Sequence, residues 1–347
     1  MTDERIRKDF EEQAAWCDRL GSPFTAAVMR AAAAALDRST QTGRAILDWP
    51  GAAGALADSV PLRLGGALHG LVRAGRLPRL APLYPPNPMP DADGLAAALG
   101  ATLAEADAEI RPWIDRPPQT NEVGRSAALY AGLVTVAGLT GLPLAVHEVG
   151  ASAGLNLNLD RYAYDLGGRL FGDPASPVRL RPEWRGAAPE GPDPLVVSRR
   201  GCDLTPIRIA DPEERRRLAA YVWPDQPERL ARLEAALAVA ARHPPEVDAM
   251  DAAAWVRARL GAAPQPGVAR VLQHSIAFQY FPADGQAAIT AHMEALGASA
   301  RADTPLAWIA YEMEEGVPTL TLRLWPGGTL RRLAVGNAHV SRLDWQG

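Results

Sequence analysis

Cysteine is scarce, with only Cys17 and Cys202 in 347 residues. Two cysteines build neither a disulfide framework nor a zinc knuckle, so the sequence predicts a reducing compartment. Lysine is scarcer still. Lys8 is the only one, and arginine supplies almost all the positive charge. A formal net charge of −4 and a pI near 5.9 leave no general electrostatic affinity for nucleic acid or an anionic membrane. No uninterrupted apolar run reaches the roughly 18 residues of a membrane span. Residues 1–12 are charged throughout and carry no apolar segment of a secretory signal. These absences predict a cytoplasmic protein. Histidine is also sparse, and His147 has no second ligand at suitable spacing, so no metal site is expected.

What is present is material for a core. Hydrophobic residues make up 48% and charged residues 22%, a globular balance with room for two domains. Residues 3–20 place Ile6, Phe10, Ala14 and Cys17 on one helical face, so Cys17 reads as core. Ser22-Pro23 then reads as a cap and first-turn proline opening a second helix. No strand alternation occurs in the first 115 residues, which predicts an all-helical N-terminal domain over 1–116. Beyond it, 117–347 alternates strands and helices, which predicts an α/β domain. Its sheet is expected to be mostly parallel and closed by an antiparallel hairpin around Pro326-Gly-Gly328. Residues 157–194, rich in proline and arginine, read as a surface insertion, with a hairpin turning at Gly167-Gly168. The helical domain is expected to cap the α/β domain and, with the insertion, to set substrate specificity.

The most informative stretch is Leu142-Pro-Leu-Ala-Val-His-Glu-Val-Gly-Ala-Ser-Ala-Gly-Leu-Asn156. A short apolar strand ends in an acid and a turn of small residues. Two chemistries use such a turn. A Glu-x-Gly-x-x-x-Gly loop admits an adenosine-containing cofactor close to the backbone. Gly150-Ala-Ser-Ala-Gly154 also matches the elbow that exposes a serine nucleophile, and Asp248 or Asp251 and then His292 or His339 follow in triad order. Against the hydrolase, Glu148 would place charge near a serine that must ionise, and no oxyanion segment stands upstream. The polar run Gln119-Thr-Asn-Glu-Val-Gly-Arg125 either caps the next helix, through Thr120 or Asn121, or faces the turn with Asn121 and Arg125.

The order of glycine-rich turn, α/β units and closing hairpin resembles the class I S-adenosylmethionine-dependent methyltransferase fold. Several segments more closely resemble an uncharacterised bacterial family, domain of unknown function 2332. These are Gln119–Arg125, His147–Asn156, Asp160-Arg-Tyr162, Val222-Trp-Pro-Asp-Gln226 and His274-Ser-x-x-x-Gln-Tyr280. The methyltransferase likeness implies S-adenosylmethionine as cofactor and a small-molecule substrate. It implies that Glu148, Gly150, Ala151, Ser152, Gly154 and Asn156 form the cofactor turn. Asp203 would hold the ribose, although the intervening insertion departs from the usual spacing. Asp251 would accept from the adenine amino group. His274 and Ser275 would stand at the carboxyl end of the next strand, His274 as a cofactor-contacting or catalytic candidate, with Tyr280 beyond them as a second catalytic candidate. A fold kept for cofactor binding without catalysis is the alternative from a different class.

Overall fold

The computed structural model describes residues 2–55 and 57–347. The chain forms two units, Met1–Thr120 with Asp211–Ala231, and Asn121–Ala210 with Arg232–Gly347. From sequence, 211–231 falls in the α/β region; in the structure it belongs to the helical unit.

The first unit contains α1 (Thr2–Arg19), α2 (Pro23–Ala35), α3 (Gln41–Leu47), α4 (Val60–Arg73), α5 (Ala92–Glu105) and α6 (Asp107–Ile114). After α7 (Ser126–Thr140), which opens the second unit, α8 (Pro212–Ala220) returns to the first. Ile6, Phe10, Ala14 and Cys17 of α1 are fully buried, and α1 packs on α2, α3 and α4, as their spacing predicts. Burial pushes the Cys17 thiol up to about 11, so it packs as a small hydrophobe. The start of α2 departs from expectation. Ser22 makes no side-chain cap; the Asp225 carboxylate accepts the Phe24 N–H at 2.8 Å. Asp225 also accepts from the hydroxyls of Ser22 and Thr25. A residue some two hundred positions away thus satisfies this helix end, and neighbouring sequence cannot reveal it.

The second unit is built on α7 and two sheets. The segment Val123–Thr140 is long and apolar enough to cross a membrane by length and composition alone, although polar residues interrupt it; in this fold 78% of it is buried. A helix apolar on every side is a core helix when protein surrounds it. The central strand β1 (Leu144–Val149) precedes β2 (Ala163–Leu166), β3 (Arg169–Gly172), β4 (Arg179–Leu180), β5 (Glu183–Arg185), β6 (Val196–Asp203) and β7 (Val247–Ala249). Then come β8 (Ala269–Ser275), β9 (Leu306–Glu314), β10 (Val317–Trp325), β11 (Thr329–Gly336) and β12 (Arg342–Trp345). Three further helices intervene: α9 (Pro227–Arg242), which belongs to this unit from Arg232 onward, α10 (Ala252–Leu260) and α11 (Ala283–Ala298).

The large sheet has the order β5-β12-β11-β10-β9-β8-β1-β6-β7. The run β7-β6-β1-β8-β9 is parallel throughout. Every residue of β8 is buried, as a strand covered on both faces requires. Strands laid down after β1 go first to one side (β6, β7) and then to the other (β8, β9). This reversal creates a crevice beside the carboxyl end of β1, where open α/β sheets bind ligands. The far edge differs from the expected single hairpin. β9, β10, β11 and β12 form an antiparallel meander, and β5 adds in parallel to β12. Glu315 and Gly316, both at positive φ, make the two-residue turn between β9 and β10.

Residues 157–194 are not merely a surface insertion. β3-β2-β4 make a small sheet whose Tyr164, Leu166, Phe171 and Leu180 are buried. Tyr130 of α7 stacks on Tyr164 with ring centroids 4.1 Å apart. The hairpin turn at Gly167-Gly168 stands where its glycines predict, both at positive φ.

Candidate functional site

The glycine-rich turn leaves β1 and folds against the end of β6. Gly150, Ser152 and Gly154 all take positive φ, of +67°, +53° and +70°. A Cβ on Gly154 would lie 2.7 Å from side-chain atoms of both Pro245 and Val247, so the close approach that glycine permits here is to the protein's own chain. The N–H groups of the turn are largely used internally. Ala151 donates to the Cys202 carbonyl at 3.0 Å, and Gly154 to the Ala151 carbonyl at 2.7 Å. The Ser152 N–H donates to the Asp203 carboxylate at 2.9 Å, and the Leu155 N–H to Asn121 Oδ1 at 2.9 Å.

No ordinary α-helix follows. Leu155–Arg161 is a 3₁₀ helix whose first five residues are buried. Its asparagines are there to satisfy a buried bend. Asn156 Oδ1 accepts from Ser126 Oγ at 2.8 Å, and Asn158 Nδ2 donates to the His243 carbonyl at 2.9 Å. Asn121 faces the turn as one of the two readings predicts. Arg125 instead donates to the carbonyls of Ser275 and Ala338, each at 3.0 Å.

Glu148, the penultimate residue of β1, is paired in register with Gln273 of β8. Its side chain is buried, and Gln273 Nε2 donates to it over a long 3.4 Å. Burial, aided by the nearby Asp203 charge, pushes its carboxyl up to about 8, so it is mainly protonated at neutral pH. Glu148 is therefore a neutral acid behind the turn rather than a charged ligand-holder. Gln273 Oε1 and Ser152 Oγ are buried with no hydrogen-bond partner among the described residues. The Ser152 hydroxyl thus contacts no base. Asp248, one triad candidate, is committed to Arg200, Trp255 and Arg259; the Arg200 hydrogen bond first of all holds its carboxyl well below the usual range. His147 is a core histidine whose Nδ1 lies 3.2 Å from the Ala145 carbonyl. Burial lowers its pKa to about 4.

The open feature is a cleft of about 620 Å³ at the carboxyl ends of β6 and β7, beside the turn. Asp203 and Asp251 stand in a lining that is otherwise mainly apolar, including Leu204, Met250, Phe281 and Ile289. Gly150 and Tyr280 complete what sequence placed there. Asp203 accepts from the Ser152 and Thr205 amides, each at 2.9 Å. Asp251 caps α10 by accepting the Ala254 N–H at 2.9 Å. Each carboxylate retains acceptor capacity beyond these bonds. Leu204 is 73% exposed and Met250 38% exposed. Exposed apolar side chains thus stand in the same lining as two carboxylates. Each directly adjoins an aspartate in sequence, and that doublet at a strand end was the available signal for them.

His274 is held behind this cleft. Its Nδ1 hydrogen-bonds the Glu312 carboxylate at 2.7 Å, while Nε2 accepts from Trp308 Nε1 at 2.8 Å. The Trp308 donor fixes the tautomer, with the proton on Nδ1. Phe278 stacks on the ring at 4.9 Å. With both nitrogens engaged and the ring 1% exposed, His274 is a structural residue and not a free base. Glu312, which sequence did not single out, also accepts the Ala277 and Phe278 N–H groups at 3.0 and 3.1 Å. Burial opposes its charge, but these donors and His274 prevail and hold its carboxyl below the usual value. Between them, Ile276 sits at φ +45°, an uncommon conformation for a β-branched residue. Among the described residues, no group of three or more His, Cys, Asp or Glu side chains is arranged to hold a metal.

No curated protein matches the chain, and no solved structure matches it. A family profile described as "Uncharacterized protein conserved in bacteria (DUF2332)" matches residues 7–345. With almost its whole length matched, the chain belongs to this bacterial family.

Proposed function

We propose that the second unit binds S-adenosylmethionine in the cleft at the ends of β6 and β7 and transfers its methyl group to a small-molecule substrate. The observation that carries this reading is the presence of Asp203 and Asp251 in one mainly apolar lining beside the glycine-rich turn. An adenosine presents a flat apolar base, an amino donor and two ribose hydroxyls. Leu204 and Met250 supply apolar surface for the base, Asp251 an acceptor for the amino group, and Asp203 an acceptor for the ribose. The strand order β7-β6-β1-β8-β9 supports the same reading, because ligands of doubly wound sheets lie at this reversal. When bound, the sulfonium group supplies an activated methyl, and transfer needs chiefly alignment of acceptor and methyl. Tyr280, which is 58% exposed and lines the cleft, would meet the substrate.

Binding without transfer is the second reading. It is favoured by the turn, whose Ser152 and Leu155 amides are held by Asp203 and Asn121. Calorimetric titration of purified protein with S-adenosylmethionine and S-adenosylhomocysteine tests both. Binding of neither at millimolar concentration sinks the cofactor site. Binding of both without methyl release to any nucleophile in a substrate screen favours the non-catalytic reading.

A further inference from the structure

The small sheet carries a second cleft, of about 650 Å³, that plays no part in the proposed methyl transfer. Its walls include Tyr164, Leu170, Phe171, Arg179, Arg181 and Asp193. The apolar wall is rigid. Tyr164 is clamped by the stack with Tyr130 and by its hydroxyl, which donates to the Leu159 carbonyl at 2.6 Å. Phe171 is buried against Tyr130 and covered by the Arg169 guanidinium, 4.5 Å from the ring centroid. Leu170, in the same lining, is 73% exposed.

The polar side of the cleft is cationic. Arg179 and Arg181 are two residues apart, the spacing that brings side chains to one face of an extended segment. Arg179 makes one hydrogen bond, to the Pro174 carbonyl at 3.1 Å, and keeps its other donors. Arg181 has no partner among the described residues. The lone carboxylate, Asp193, is committed on Oδ1 to the Tyr130 hydroxyl at 2.6 Å and the Gly172 N–H at 2.8 Å. Two guanidinium groups with unused donors therefore stand beside an aromatic and aliphatic wall.

We propose that this cleft binds a small organic anion, a carboxylate or phosphate ester with an apolar or aromatic body, whose charge is held by Arg179 and Arg181. Arginine's planar fork matches either anion, and the apolar body covers Leu170 and Phe171. The test is ligand-observed fluorine NMR on the full chain, with 4-fluorophenylacetate, 4-fluorophenyl phosphate and uncharged 4-fluorobenzyl alcohol as probes. At least one anionic probe should bind in the millimolar range, which a fragment of this size reaches. The neutral alcohol should bind at least about fivefold more weakly, as loss of a charge-assisted bond requires. Arg181→Gln should weaken the anionic probe roughly tenfold, and Leu170→Ser, which keeps the charge, should weaken all three. The stronger of the two anionic probes identifies the anion class. Failure of both anionic probes to bind overturns the proposal. So does binding that neither substitution alters in a protein whose circular dichroism is unchanged.

Discussion

The Asp203 carboxylate accepts the backbone N–H of Ser152 at 2.9 Å, joining the end of β6 to the middle of the glycine-rich turn. One side chain thus does two things. It holds the turn in its positive-φ conformation, and it presents an acceptor to the adjoining cleft. The serine that could have been read as a nucleophile is instead held through its amide.

Separating the structural and binding roles of the two aspartates gives a first expected outcome. Asp251→Asn keeps an oxygen to cap α10, so the melting temperature should hardly move. It loses the charge and places an amide donor toward the ligand's amino group. Affinity for S-adenosylmethionine should fall roughly tenfold, about 1.4 kcal/mol. Calorimetry beside thermal melts checks both, and unaltered affinity counts against Asp251 as an adenine acceptor.

Glu148 makes stability depend on pH. Its folded carboxyl, at about 8, lies above the ordinary value of 4.5. Between those values the unfolded chain loses a proton that the folded chain retains. Stability should therefore fall as pH rises through this window, by up to about 1.4 kcal/mol per pH unit from this group. Glu148→Gln, which remains neutral, should flatten that part of the profile. Urea unfolding at pH 5, 6.5 and 8 would show it, and parallel profiles for the two proteins would refute the assignment.

Glu312 anchors a strained loop. Glu312→Ala strips the partner from two loop amides and His274 and should cost about 2–3 kcal/mol. Glu312→Gln keeps one acceptor oxygen and should cost less. Denaturant midpoints for the two variants, compared at constant slope, give the ordering.

In the helical unit, Asp225→Ala should destabilise by about 2 kcal/mol, because the Phe24 amide and the Ser22 and Thr25 hydroxyls lose their shared acceptor. Ser22→Ala, which leaves the Phe24 bond intact, should cost distinctly less. Equal effects would mean that Ser22 and not Asp225 secures the helix start.

Periodicity and turn chemistry were enough to determine much of this protein. The buried face of α1, the Gly167-Gly168 hairpin and the apolar strands β1 and β8 are local patterns, and local patterns are written in neighbouring residues. The strand-end acids Asp203 and Asp251 were legible for the same reason. Tertiary structure decided what those groups have as partners. Asp225 reaches Phe24, Asp203 reaches Ser152, and Glu312 reaches His274, across separations no spacing rule covers. It also decided charge, since the same glutamate is neutral at position 148 and ionised at 312. Glu148 is buried beside one weak donor, whereas Glu312 receives three hydrogen bonds. Burial and donor count arise only when distant segments pack, so the sequence named Glu148 but not Glu312, and the fold assigned the protonation and partners of both.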